Sequence, residues 1–183
     1  MRGFELDCHA IIRSIDRFTD TTGKLVSAAI LFMLVAINYE CIARYLIGTS
    51  TSWVAETSVM ANGAAFMLGC GYALLRRAHV RTDLFWDRYS GRTKGAIDLV
   101  SYILLFFPVM LAILSIGVDD TWRSYQLREA SALTPWRPIM WPLRAALPLA
   151  ALLLIVQGVS ETLKSWHAVR TGQEYQPRER ADL

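Results

Sequence analysis

Apolar residues fall into four long blocks, separated by segments that are polar, basic or rich in proline. The blocks run from about Lys24 to Ile47, Trp53 to Leu75, Ala96 to Val118 and Pro142 to Leu163. Each reaches the roughly 20 residues that a helix needs to cross the hydrocarbon of a bilayer. The pattern predicts an all-α integral membrane protein with four transmembrane helices in one domain, 1–183. Pro108 and Pro148 lie inside the third and fourth blocks, where membrane helices tolerate proline and are expected to kink. Before the first block, Phe4, Ile11, Ile12, Ile15 and Phe18 recur at helical spacing opposite a charged face. This predicts an amphipathic helix over residues 1–20 lying on the membrane surface, with a solvated tail as the alternative. Asp20, Thr21 and Thr22 then offer N-cap chemistry for the first span. Between the third and fourth spans, "DDTWRSYQLREASA" has no Pro or Gly and is able to extend the third helix. "TPWRPIMWP" is not regular helix, because Pro135, Pro138 and Pro142 remove donors and restrict their neighbours. Trp136 and Trp141 suit the outer headgroup level, and Pro142 suits a first helical turn. No internal repeat of the kind found in many secondary transporters is visible.

Charge placement orients the four spans. Arg2, Arg13, Arg17 and Lys24 precede the first. Arg76, Arg77, Arg81, Arg88, Arg92 and Lys94 lie between the second and third, and Lys164, Arg170, Arg178 and Arg180 follow the fourth. These fourteen face at most five on the other side: Arg44, Arg123, Arg128, Arg137 and Arg144. By the positive-inside rule both termini are expected in the cytoplasm, with 164–183 a cytoplasmic tail. Composition agrees with a membrane protein, since 54% of residues are hydrophobic and 19% charged. The acidic and basic residues between Glu5 and Asp20 break any signal-peptide core, so the first span is expected to act as its own insertion signal. Cys8, Cys41 and Cys70 have no zinc or disulfide spacing, and Cys41 and Cys70 read as small hydrophobes.

Ionisable residues within spans are functional candidates. Glu40 and Arg44 form an i,i+4 pair near the outer end of the first span, a geometry that neutralises itself. Glu56, with Trp53, lies one turn into the second span and is expected to meet Arg44 across the "GTSTS" turn. Asp98 is four from Lys94 and Glu161 is three from Lys164, both near inner span ends. Near mid-membrane are Asn38, Asn62 and Gln157. An Asn38–Asn62 hydrogen bond between neighbouring antiparallel helices is expected, worth about 0.6 kcal/mol. No buried array of charges suggests an ion path. Ala61, Ala65, Gly69 and Ala73 form a small-residue ridge suited to close helix packing, or arise by chance in an alanine-rich span.

The stretch "ALLRRAHVRTDLF" places His79 and Asp83 on one helical face. No further His or Cys is near, which argues against a metal centre there. His9, His79 and His167 all lie outside the spans, which excludes a helix-buried haem. GxSxG and HExxH are absent. No catalytic residue, metal or cofactor is expected. Two non-enzyme classes remain: a self-contained four-helix transporter or channel, and an accessory subunit that positions a larger partner.

"TSWVAETSVMANGAAFMLGCGYALLRRAHVRTDLF" resembles the small permease subunit of tripartite ATP-independent periplasmic (TRAP) transporters. The pattern is Trp53, Glu56, a Gly/Ala-rich helix with Gly69, the Arg76 turn, and His79-Val80 followed by Asp83. "AIDLVSYILLFFP", the long outer loop and "PLRAALPLAALLLIVQGVSETL" fit the same layout, and the loop and ending look most like the branch often labelled mannitol/chloroaromatic. The resemblance implies an inner-membrane subunit of a sodium-coupled organic-acid importer, with two protein partners. One is a large TRAP membrane subunit whose scaffold it would brace. The other is a periplasmic substrate-binding receptor. For docking that receptor the outer-loop residues Arg123, Arg128, Trp136 and Arg137 are candidates, a loop packed on its own helices being the alternative. His79 and Asp83 are expected to hold the turn or meet the large subunit. Arg76, Arg77 and Arg81 anchor topology and are placed to meet phospholipid headgroups, rather than nucleic acid.

Overall fold

The computed structural model describes residues 2–49, 51–76 and 89–172. Within them the protein is all-helical, without strands, and four of its helices are long and apolar enough to cross a membrane. Helix α1 (Arg2–Ile42) runs unbroken for 41 residues, about 62 Å at 1.5 Å per residue. The expected surface helix over 1–20 and the first span are therefore one helix. The capping role of residues 20–22 is not taken up either. The hydroxyls of Thr21 and Thr22 donate to the carbonyls of Arg17 and Phe18 at 2.9 and 3.0 Å, bonds made inside a continuing helix. Gly23, the one helix-weakening residue of this stretch, is where the ring of Tyr72 closes on α1. A wide turn, Ala43–Ile47, extends α1 to Gly48, whose φ of 75° ends it.

Helix α2 (Ser52–Leu75) matches the expected second span. The third span is longer than its apolar block. It comprises α3 (Gly91–Ser101), a wide turn at Tyr102–Phe106 and α4 (Phe107–Gln126). Ser90 caps α3, its Oγ accepting from the Thr93 N–H at 3.4 Å. The distortion expected at Pro108 takes the form of that wide turn, in which the Phe107 N–H bonds back to the Tyr102 carbonyl, five residues earlier. Proline has no N–H and crowds the carbonyl four residues before it, and widening the preceding turn accommodates both effects. Helix α5 (Trp141–Thr171) opens with Pro142 in its first turn, as expected, and ends at Gly172 with φ 78°.

The helices form an open layer rather than a closed bundle. Helix α5 is central, packing against α3–α4 along one side and α2 along another, and α1 packs on α2 and also reaches α5. No extensive packing joins α3–α4 to α1 or α2 among the described residues. Accordingly 39% of the most apolar window of α5 is buried, against 6% in α1 and 6% in the third span. Small residues let neighbours approach α5 closely. A Cβ on Gly95 would sit 2.8 Å from the Ser165 carbonyl oxygen and 3.0 Å from the Val169 nitrogen. One on Gly117 would sit 3.1 Å from Pro148. The layer has a terminal end, with residues 10–20 of α1, the start of α3 and the last turns of α5. The opposite, loop end carries residues 43–56 and the 127–140 connection.

Candidate functional site

Polar chemistry gathers at both ends. At the terminal end α5 presents Gln157, Ser160, Glu161 and Lys164, spaced so that all four lie on one helical face. All four are buried. Facing them, α1 presents Asp16 and the buried Thr19. Lys164 Nζ lies 2.7 Å from Asp16 Oδ2 and 2.7 Å from Glu161 Oε1. Ser160 donates to Asp16 at 2.8 Å. The Gln157 amide donates to Asp16 and Glu161 at 3.1 and 3.3 Å, and its carbonyl accepts from Thr19 at 2.8 Å. Two carboxylates thus share one ammonium, and each member has a partner, which is what burial of charge requires. The sequence reading contains the Glu161–Lys164 pair but no buried array. The array exists because Asp16 belongs to a helix packed on α5.

At the loop end, Glu40 pairs with Arg44 at 2.8 Å as expected, and also accepts from the Thr51 N–H at 3.0 Å and the Thr51 hydroxyl. It therefore ties the end of α1 to the turn before α2. Trp53 packs on Tyr39 with ring centroids 6.1 Å apart. Glu56 is buried, but its hydrogen bond comes from the Thr134 hydroxyl of the 127–140 loop rather than from Arg44. Its other oxygen, Oε1, is buried without a hydrogen-bond partner among the described residues. The expected Arg44–Glu56 contact gives way because the loop folds back over the start of α2. Gly69 of the small-residue ridge faces α1, with Val26 3.9 Å from where a Cβ would stand.

The 127–140 loop is pinned along its own backbone. Ala130 and Ile139 form an antiparallel bridge, the Ser131 N–H donates to Pro138 at 2.9 Å, and the Met140 N–H donates to Glu129 at 2.9 Å. Arg144 at the start of α5 clamps its base, reaching Asp120 at 2.7 Å and Glu129 at 2.6 Å. Sequence inspection placed Arg144 near a span end and assigned it no partner. The candidates Arg123, Arg128, Trp136 and Arg137 are all exposed, and none of the three arginines has an ion pair among the described residues. Arg128 and Arg137 both hold φ at 47°, a left-handed conformation that L-residues seldom adopt.

Arg77, Arg81, His79 and Asp83 lie outside the described residues. Arg76 sits just past α2 and turns back on the protein. It donates to the Tyr72 hydroxyl at 3.0 Å and to Asp20 of α1 at 3.3 Å, with its guanidinium 5.2 Å above the Tyr72 ring. The Tyr72 hydroxyl, ahead of Asp20, pushes its pKa up from the ordinary value. Asn38 and Asn62 do not meet. Asn38 donates to the Leu34 carbonyl of its own helix at 2.7 Å. It stands two residues from the buried Ala36, a rotation of about 200° that points it away from α2. Asn62 is exposed on α2.

Residues 33–168 match the family described as tripartite ATP-independent periplasmic transporters, DctQ component. The chain belongs to this family. It is a component of a tripartite transporter and a multi-pass protein of the bacterial inner membrane, and the family is one of transporter components rather than of enzymes. The match spans α2 to α4, the 127–140 loop and most of α5, and begins within α1. No curated protein and no solved structure matches the chain.

Proposed function

We propose that this chain is the small membrane subunit of a sodium-coupled, receptor-dependent organic-acid importer. It braces the scaffold of the large transport subunit, and through its 127–140 loop it contributes to docking the periplasmic receptor. Both termini then lie in the cytoplasm and the loop end faces the periplasm. The observation that carries the reading is the open layer. Most residues of α1 and of the third span are exposed, and α2 has an exposed face of its own, while the ammonium buried between helices is paired. Such a layer has surface to offer a large membrane partner, and among the described residues its polar groups gather at the two ends. The loop supports the docking part, because it is held by its own hydrogen bonds and still exposes Arg128, Trp136 and Arg137, beside Arg123 exposed in the last turn of α4. Its length also favours the mannitol/chloroaromatic-like branch. Purification of the tagged chain from native membranes tests the reading. A large polytopic protein should be retained with it in stoichiometric amount, and recovery of this chain alone would contradict the proposal.

A further inference from the structure

One face of α2 is turned away from both neighbouring helices. Ala55, Val59, Asn62 and Phe66 recur along it at helical spacing and are all exposed, Val59 by 62% and Phe66 by 78%. Asn62 is the polar member. It lies ten residues into a 24-residue helix, about 15 Å from the start at 1.5 Å per residue and so near mid-membrane. Its amide makes no hydrogen bond among the described residues. One turn earlier Ser58 also lacks a hydrogen-bond partner, although its Oγ is enclosed by the chain's own atoms. Ser58 lines a groove between α1 and α2 together with Ile37, Cys41 and Ala55, and Arg44 stands at the groove's outer end. Two polar side chains at i and i+4 are thus without partners, one exposed beside and one enclosed along a groove whose outer end holds the Glu40–Arg44 pair. By contrast Asn38, exposed on α1, donates to its own helix backbone.

In hydrocarbon an amide without a partner is costly, and an acyl chain offers it nothing. A packed transmembrane helix does offer a carbonyl, hydroxyl or amide. We infer that the α1–α2 groove and the Asn62 face form the seat of a transmembrane helix of the large membrane subunit. That helix offers a hydrogen-bonding group at the depth of Asn62. This rests on the reading of the chain as a small transporter subunit and specifies which surface it uses. Charge does not select the occupant, because Glu40 neutralises Arg44. Depth does, because the unsatisfied groups lie below the headgroup level.

The test uses the assembled complex in native membranes. Replacing Phe66 with photoreactive p-benzoylphenylalanine should give, on irradiation, an adduct between this chain and the large subunit. The same substitution at Leu104, exposed on the far side of the layer, should not. In a second measurement Asn62→Leu should lower the fraction of large subunit retained on the tagged chain by about three-fold, the equivalent of one membrane hydrogen bond. Asn62→Gln should retain it. An adduct with a second copy of this chain, adducts with lipid alone, or a heterologous adduct from Leu104 and none from Phe66 would each overturn the assignment. These outcomes leave co-purification of the two subunits intact, so they are distinguishable from failure of the functional reading.

Discussion

The two ends of the helical layer use similar residues in opposite ways. At the terminal end Asp16, Glu161 and Lys164 are withdrawn between α1 and α5, and Gln157, Ser160 and Thr19 fill the remaining hydrogen-bonding positions. At the loop end four acidic residues are tied to groups of the protein itself. Glu40 holds a turn, Glu56 holds the loop, and Asp120 and Glu129 hold Arg144. The basic residues Arg123, Arg128 and Arg137 are left facing outward. Charges that face each other across two helices fix geometry. Charges left exposed on a backbone-pinned loop are open to a partner. On the proposed function one end serves stability and the other recognition, and mutations at each should separate accordingly.

The largest effect is expected from Lys164→Met. It leaves the buried Glu161 and the half-buried Asp16 without their ammonium, and breaking a buried pair costs about 3–5 kcal/mol. Thermal unfolding in detergent should show a strong loss, partly recovered by adding Asp16→Asn. An unchanged midpoint would mean that the cluster is not closed against solvent as described. Next is Gly95→Ala. Its Cβ meets backbone atoms of α5 that have no rotamer to change, so overpacking of about 1–3 kcal/mol should appear in the same measurement.

At the loop end the expected readout changes. Arg123→Glu with Arg128→Glu should reduce receptor-dependent uptake while stability moves by no more than about 0.5 kcal/mol, as for ordinary surface positions. If subunit assembly falls with uptake, the loop serves the layer and not a receptor, and the contrast between the ends collapses. The smallest effect on uptake is expected from Arg128→Gly. Removing the side chain from a left-handed position should raise the unfolding midpoint slightly, corresponding to about 1 kcal/mol. It should also weaken uptake less than the charge reversal does.

What was legible in the sequence was what lies close along it. The four spans follow from run length, Pro142 opens α5 as its chemistry requires, and the pairs Glu40–Arg44 and Glu161–Lys164 are set by helical spacing. Contacts between distant segments were not legible. Asp16 meets Ser160 across 144 positions and Glu56 meets Thr134 across 78. No local periodicity encodes either contact. The charged face of residues 1–20 also reads as a surface helix, because amphipathicity does not distinguish a lipid interface from the flank of another helix. Asn38 and Asn62 share a depth, but depth says nothing of rotation about the axis, and rotation is what separates them. The exposed arginines of the 127–140 loop were recognisable by type and position. The left-handed backbone at Arg128 and Arg137 carries no glycine to announce it.

The central claim is that this chain organises a transporter without being one. Reconstituting it alone into proteoliposomes, with an inward sodium gradient, labelled organic acid and the receptor, tests that claim most directly. The account predicts no uptake above protein-free vesicles, and uptake restored when the large subunit is included. Sustained uptake by this chain alone would contradict it.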